Sequence, residues 1–179
     1  MGFQILDGTG KGNLAQVDAD NRILTKSFFE SDFDDAISNR EDGYTLSSTF
    51  ATGGSDIEVM SIKNTSTSKI LIIDTTEFSS TVATLWTLFK VTSGTAAGTV
   101  GTPVNMNVAS GKTAQVSAFA NASVTGTLAG TTLAVKYTGA NSDSNFNTEG
   151  IFILNQNDEL AITASASGTV AVTMYFHFR

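Results

Sequence analysis

DIEVMSIKNTSTSKILIIDTTEFSSTVATLWTLFKVT, residues 56–92, contains three apolar segments separated by short connections rich in Ser, Thr and Asn. The middle segment, Ile70 to Ile73, is a continuous aliphatic run closed by Asp74 and reads as a strand covered on both faces. In the first segment Ile57 and Val59 share one parity and Met60 and Ile62 the other, a phase change that predicts a bulge or a strand apolar on both sides. Asn64-Thr65-Ser66-Thr67-Ser68 has the turn chemistry of a hairpin loop. The third segment sets Ala83, Leu85, Phe89 and Val91 against Val82, Trp86 and Leu88, so it too is expected to be buried on both sides near its middle. Trp86, the sole tryptophan, is expected to pack in the core or between sheets; an exposed binding platform is the other reading.

The 179 residues suit one domain, or one domain with an arm. A hydrophobic fraction of 41% supports a full core, and a charged fraction of only 15%, with abundant Ser, Thr, Gly, Ala and Asn, favours strands with a polar but weakly ionic surface. A formal charge of −7 argues against nucleic acid, which is bound through clustered Lys and Arg. Without cysteine there is neither a disulfide framework nor a thiolate zinc site. The opening MGFQILDGTGKGN lacks a signal-peptide pattern, and Leu6 stands where a myristoylation motif after Gly2 needs Ser or Thr. No apolar run reaches spanning length, so synthesis in the cytoplasm and no membrane partner are expected.

Working outward, residues 1–26 read as an N-terminal arm and residues 27–179 as the domain. Gly8, Gly10 and Gly12 match neither phosphate-binding pattern, and a turn before a small hairpin (Leu14 and Val17, turn 18–21, Ile23 and Leu24) is expected. So little apolar surface suggests an arm that docks on a neighbouring subunit. The one helix is expected at 31–39, with Ser31 as N-cap, acidic residues Asp32, Asp34 and Asp35 in the first turn, and Phe29, Phe33 and Ile37 along one face. Capping and the helix dipole account for those acids without a metal.

The next strand, Tyr44 to Thr52, alternates dry (Tyr44, Leu46, Ser48, Phe50) and wet positions. Pro103, the only proline, opens a segment where Val104, Met106 and Val108 alternate with Asn105 and Asn107. Residues 109–132 read as a long excursion with marginal strands anchored by Val116, Phe119, Val124 and Leu128. Leu133, Val135 and Tyr137 mark a strand, Thr138 to Thr148 a polar loop, and Ile151–Leu154 and Leu160–Ala164 a hairpin-like pair around the turn 155–158. Asn141, Asp143 and Asn145 imitate a calcium loop, but Phe146 replaces its glycine and no closing glutamate follows, so an Asn/Asp turn is expected. The last strand places Val170, Val172, Met174, Phe176 and Phe178 inward and Thr173, Tyr175, His177 and Arg179 outward.

Chemistry is sparse. His177 is the only histidine, no Gly-x-Ser-x-Gly elbow occurs, and a lone histidine on a polar strand face is expected to be solvated or at an interface. No catalytic, cofactor-binding or metal-ligating residue is singled out, and a non-enzymatic role is expected; glycosidase-type paired acids are the weaker reading. The fold expected is all-β, an antiparallel sandwich of jelly-roll type in about nine strands, with an immunoglobulin-like sandwich as runner-up.

The order of Asp7–Asn13, Val17–Ile23, Glu30–Asn39, Lys63–Ser66 and Gly101–Asn107 resembles that of a family of tailed-bacteriophage virion proteins. The resemblance covers nearly the whole chain through short motifs. It implies a capsid decoration (cement) or related head accessory protein on the capsid surface, a jelly roll assembled as a homotrimer, with the major capsid protein and copies of itself as partners. The alternative is a tail or head-fibre protein whose jelly roll binds a receptor or carbohydrate, with Tyr175 or Tyr137 as exposed aromatics.

Overall fold

The computed structural model describes residues 32–54, 56–125 and 128–179. The expected arm and its hairpin, the cap Ser31 and Phe29 lie outside the described residues. A seven-residue helix, α1 (Asp32–Ser38), precedes ten strands: β1 (Gly43–Ala51), β2 (Ile57–Asn64), β3 (Leu71–Ser80), β4 (Thr84–Ser93), β5 (Val104–Asn105), β6 (Val116–Phe119), β7 (Ala129–Thr138), β8 (Ser142–Leu154), β9 (Glu159–Ala164) and β10 (Thr169–Phe178).

Two five-stranded antiparallel sheets pack face to face, one ordered β5-β1-β10-β3-β8 and the other β6-β2-β9-β4-β7. β1 to β4 alternate between the sheets, as do β7 to β10, and β1 pairs with β10, β2 with β9, β3 with β8 and β4 with β7. That nested pairing is one long double ribbon rolled on itself, with the 94–128 excursion at its tip; the added pairs β10–β3 and β9–β4 close the roll. Eight strands in this order make a jelly roll.

The alternation read from the sequence supplies the core. Val170, Val172, Met174, Phe176 and Phe178 of β10 are at most 2% exposed, and Tyr44 and Leu46 of β1 1%. Leu71, Ile72 and Ile73 are buried on both faces of β3, which lies between β10 and β8. Trp86 fills the core: its ring centroid lies 5.0 Å from that of Phe78 across the sheets, and its Nε1 donates to Thr138 Oγ1 at 2.8 Å. Large side chains buried this fully stabilise by about 1.5–3 kcal/mol each. The phase change in β2 is a bulge at Val59, where the register slips between Glu58 and Met60. At Gly130 a Cβ would stand 2.0 Å from the Lys90 carbonyl oxygen, so only glycine permits this approach of β7 to β4.

Several expectations fail for identifiable reasons. The connections 65–70 and 155–158 are crossings between the sheets, because β2 and β9 lie in one sheet and β3 and β8 in the other. Turn chemistry marks a reversal without saying where the next strand pairs. β3 runs on through Asp74 as a bulge between Ile73 and Thr75, and most of the expected polar loop 138–148 is the start of β8, paired with β3 from Ser142↔Ser80 to Asn147↔Thr75. Asp143 and Asn145 are therefore strand residues, and only Asn141, at φ 53°, lies in the turn. β5 is two residues long and leaves Val104 and Val108 61% and 96% exposed. In the third segment only Phe89 is buried on the outer face; Leu85 is 43% exposed.

Candidate functional site

Asn64, at the end of β2, is fully buried and joins both sheet crossings. Its Nδ2 donates to the carbonyls of Lys69 (3.0 Å) and Leu154 (2.9 Å), while its Oδ1 accepts from the Ser66 amide (2.9 Å). Sequence reading placed it in a turn and gave it no further role.

His177 departs from expectation. It lies on the outer parity of β10, yet it is 1% exposed, its Nδ1 2.8 Å from Asp74 Oδ2 and its ring 6.0 Å from that of Phe33 in α1. The helix covers this end of the sheet, and Arg40 beyond it donates from Nη1 to the Phe178 carbonyl at 3.0 Å. The Asp74 bulge turns the carboxylate toward the imidazole. A general base must reach a substrate proton, so an imidazole sealed beneath a helix is suited to holding β10, β3 and α1 together.

The acids have local partners. Asp35 accepts from Asn39 Nδ2 and Arg40 Nε, both at 2.8 Å, and the Asn39 hydrogen bond leads the effects that hold its carboxyl below the usual range. Asp42 lies 2.6 Å from Lys69 Nζ and 4.0 Å from Lys112 Nζ. Among the described residues no three His, Cys, Asp or Glu side chains are grouped to hold a metal ion.

Two outer surfaces remain. On the β4–β7 side, Leu133, Val135 and Tyr137 point outward at 41%, 51% and 64% exposure beside Leu85, while the buried side of β7 carries Ala134 and Thr138. This apolar stripe lies at a sheet edge, because among the described residues β7 pairs with β4 alone. The same sheet carries a 300 Å³ hollow between β2, β6 and the 94–96 loop, where Ser61 Oγ donates to the buried carboxylate of Glu159.

On the opposite sheet, Thr173 and Ala171 of β10, Glu77 and Ser79 of β3, and Asp143 and Asn145 of β8 line a polar trough of 460 Å³. The register sets Thr173, Glu77 and Asn145 in one row and Ala171, Ser79 and Asp143 in the next. Tyr175 stands one row on, its phenol donating to Glu77 Oε2 at 3.4 Å. Burial, with Glu77 adding to it, pushes the Tyr175 phenol above its ordinary pKa. The two tyrosines singled out in the sequence thus fall on different sheets, Tyr137 in the stripe and Tyr175 by the trough.

The chain matches no protein-family model, no curated protein and no solved structure.

Proposed function

We propose that the chain is a non-enzymatic virion protein of a tailed bacteriophage. In this reading it is made in the host cytoplasm and serves as a capsid decoration (cement) protein, docking on the major capsid protein and stabilising the head as a homotrimer. The observation that carries this reading is the exposed apolar stripe Leu85, Leu133, Val135 and Tyr137 at a sheet edge that no described strand covers. Exposed edges invite strand addition and contiguous apolar patches mark interaction surfaces, so a long β7 with outward Leu, Val and Tyr calls for a partner. The fold and the motif order noted in the sequence support the same role. A trimer would gather three stripes about its axis and leave other faces for the capsid lattice.

Binding to particles tests the role. Purified full-length protein is mixed with phage heads lacking it and sedimented. Saturable co-sedimentation, with heads more resistant to heat, is expected; absence of binding refutes the reading. A tail or head-fibre location is the second reading, favoured by the polar trough, and gold labelling on tails alone would select it.

A further inference from the structure

We propose that the trough on the outer face of the β1-β10-β3-β8 sheet binds a neutral oligosaccharide. The inference is independent of the docking reading, because it concerns the opposite sheet.

The lining defines the ligand. Among the described residues, Glu77 and Asp143 are the only charged groups lining it, and ionised carboxylates accept hydrogen bonds without donating any. A ligand must therefore bring donors, and an anionic one is repelled. Ser79, Thr173 and Asn145 add hydroxyl and amide groups that both donate and accept, the pattern a polyol satisfies from both sides. Glu77 and Asp143 stand diagonally across the β3–β8 pair, where side chains start roughly 7–8 Å apart, so each addresses a different part of the ligand. That separation suits a chain of hydroxyls better than a single cation.

The shape is built in advance. Ala171 on β10 and Ser79 on β3 leave room with small side chains, while Glu77 on the central strand β3 and Asp143 and Asn145 on the flanking β8 bring longer polar ones. A second hollow of 420 Å³ shares Ser79, Asp143 and Ala171 and continues the trough to Asn141 and Thr49. Its far end is fixed by the β7–β8 turn, where the Asn141 amide donates to Ser80 O at 2.9 Å and Ser142 Oγ to Gly139 O at 2.9 Å. At the other end the Glu77 bond holds Tyr175, an aromatic ring against which the C–H face of a pyranose can pack. Preformed sites of this kind lose little ordering entropy on binding.

The full-length protein is screened on an array of neutral oligosaccharides, and the strongest hit is titrated by calorimetry and by amide NMR. Retention is expected, with shifts confined to β3, β8 and β10 around the trough. Glu77→Gln and Asp143→Asn should each weaken the titrated affinity by about tenfold or more, the scale of a hydrogen bond to a charged group. Tyr175→Ala should abolish retention, while Tyr175→Phe, which keeps the ring, retains it. Unchanged thermal transitions in these surface variants exclude unfolding as the cause. No retained glycan, affinity indifferent to Glu77→Gln and Asp143→Asn, or trough shifts produced by spermidine or calcium chloride but not by glycans would each overturn the proposal.

Discussion

Replacing Asn64 with alanine should be among the most damaging single changes of a polar residue in this protein. The side chain makes three hydrogen bonds to backbone groups of both sheet crossings, two of them in fully buried surroundings. Three bonds at a net 0.5–1.5 kcal/mol each give roughly 1.5–4.5 kcal/mol. Stranding the Leu154 carbonyl and the Ser66 amide, at about 1–3 kcal/mol for each unsatisfied group, moves the expected loss to about 3–5 kcal/mol. At 2–4 °C per kcal/mol for a domain of this size, Tm should fall by about 6–20 °C. The sole tryptophan, Trp86, is fully buried, so its emission reports urea unfolding without a label. Asn64→Asp keeps the acceptor for Ser66 but turns a carboxylate toward two carbonyls, and should cost at least as much at pH 7. Thr67→Ala, at an exposed position in the same connection, should change stability by no more than about 0.5 kcal/mol. A loss below about 1 kcal/mol for Asn64→Ala would refute the view that this residue pins the crossings.

Other consequences follow from particular contacts. Thr138→Val removes the acceptor of the buried indole N–H and should cost about 1–3 kcal/mol in urea unfolding, against little change for Thr131→Val on the exposed side of β7. Gly130→Ala forces a methyl group against the Lys90 carbonyl and should destabilise by about 1–3 kcal/mol, with faster amide exchange concentrated in the β4–β7 pair. The Lys90 ammonium, 2.8 Å from Asp158, is the main cause that lowers that carboxyl's pKa. A folded-state pKa below the unfolded value means the contribution is complete above about pH 4 and is lost as pH falls through the folded value. Lys90→Met should therefore cost about 0.2–1 kcal/mol at pH 7 and progressively less as pH falls through the folded-state value; a cost that does not shrink on acidification would show the ion pair to be irrelevant.

Legibility in the sequence tracked how local the cause was. β10 was readable because one face meets the core along its whole length, and the β2 bulge because a shift in apolar parity has a backbone cause at the same place. Sheet membership was not readable, since Asn64–Ser68 and Asn155–Asp158 would have the same composition in a hairpin as in a crossing. β7 was readable as a strand and Tyr137 as an exposed aromatic, but the core-facing side of β7 was not marked, because it carries Ala134 and Thr138 while the large residues face outward. His177 was misjudged because the helix that covers it lies more than a hundred residues earlier in the chain. The trough combines Thr173, Glu77 and Asp143 from three distant strands, and only the register brings them together.

The claim on which the functional account turns is that the outward face of β4 and β7 is a contact surface. Sedimentation equilibrium of the full-length chain, beside Val135→Asp, addresses it directly. Val135 is half-exposed, so the substitution should leave the Trp86 unfolding curve of the subunit almost unchanged. A trimer mass for the unaltered protein and a monomer mass for Val135→Asp are expected; a monomer throughout the concentration range, or an assembly indifferent to that charge, would contradict the account.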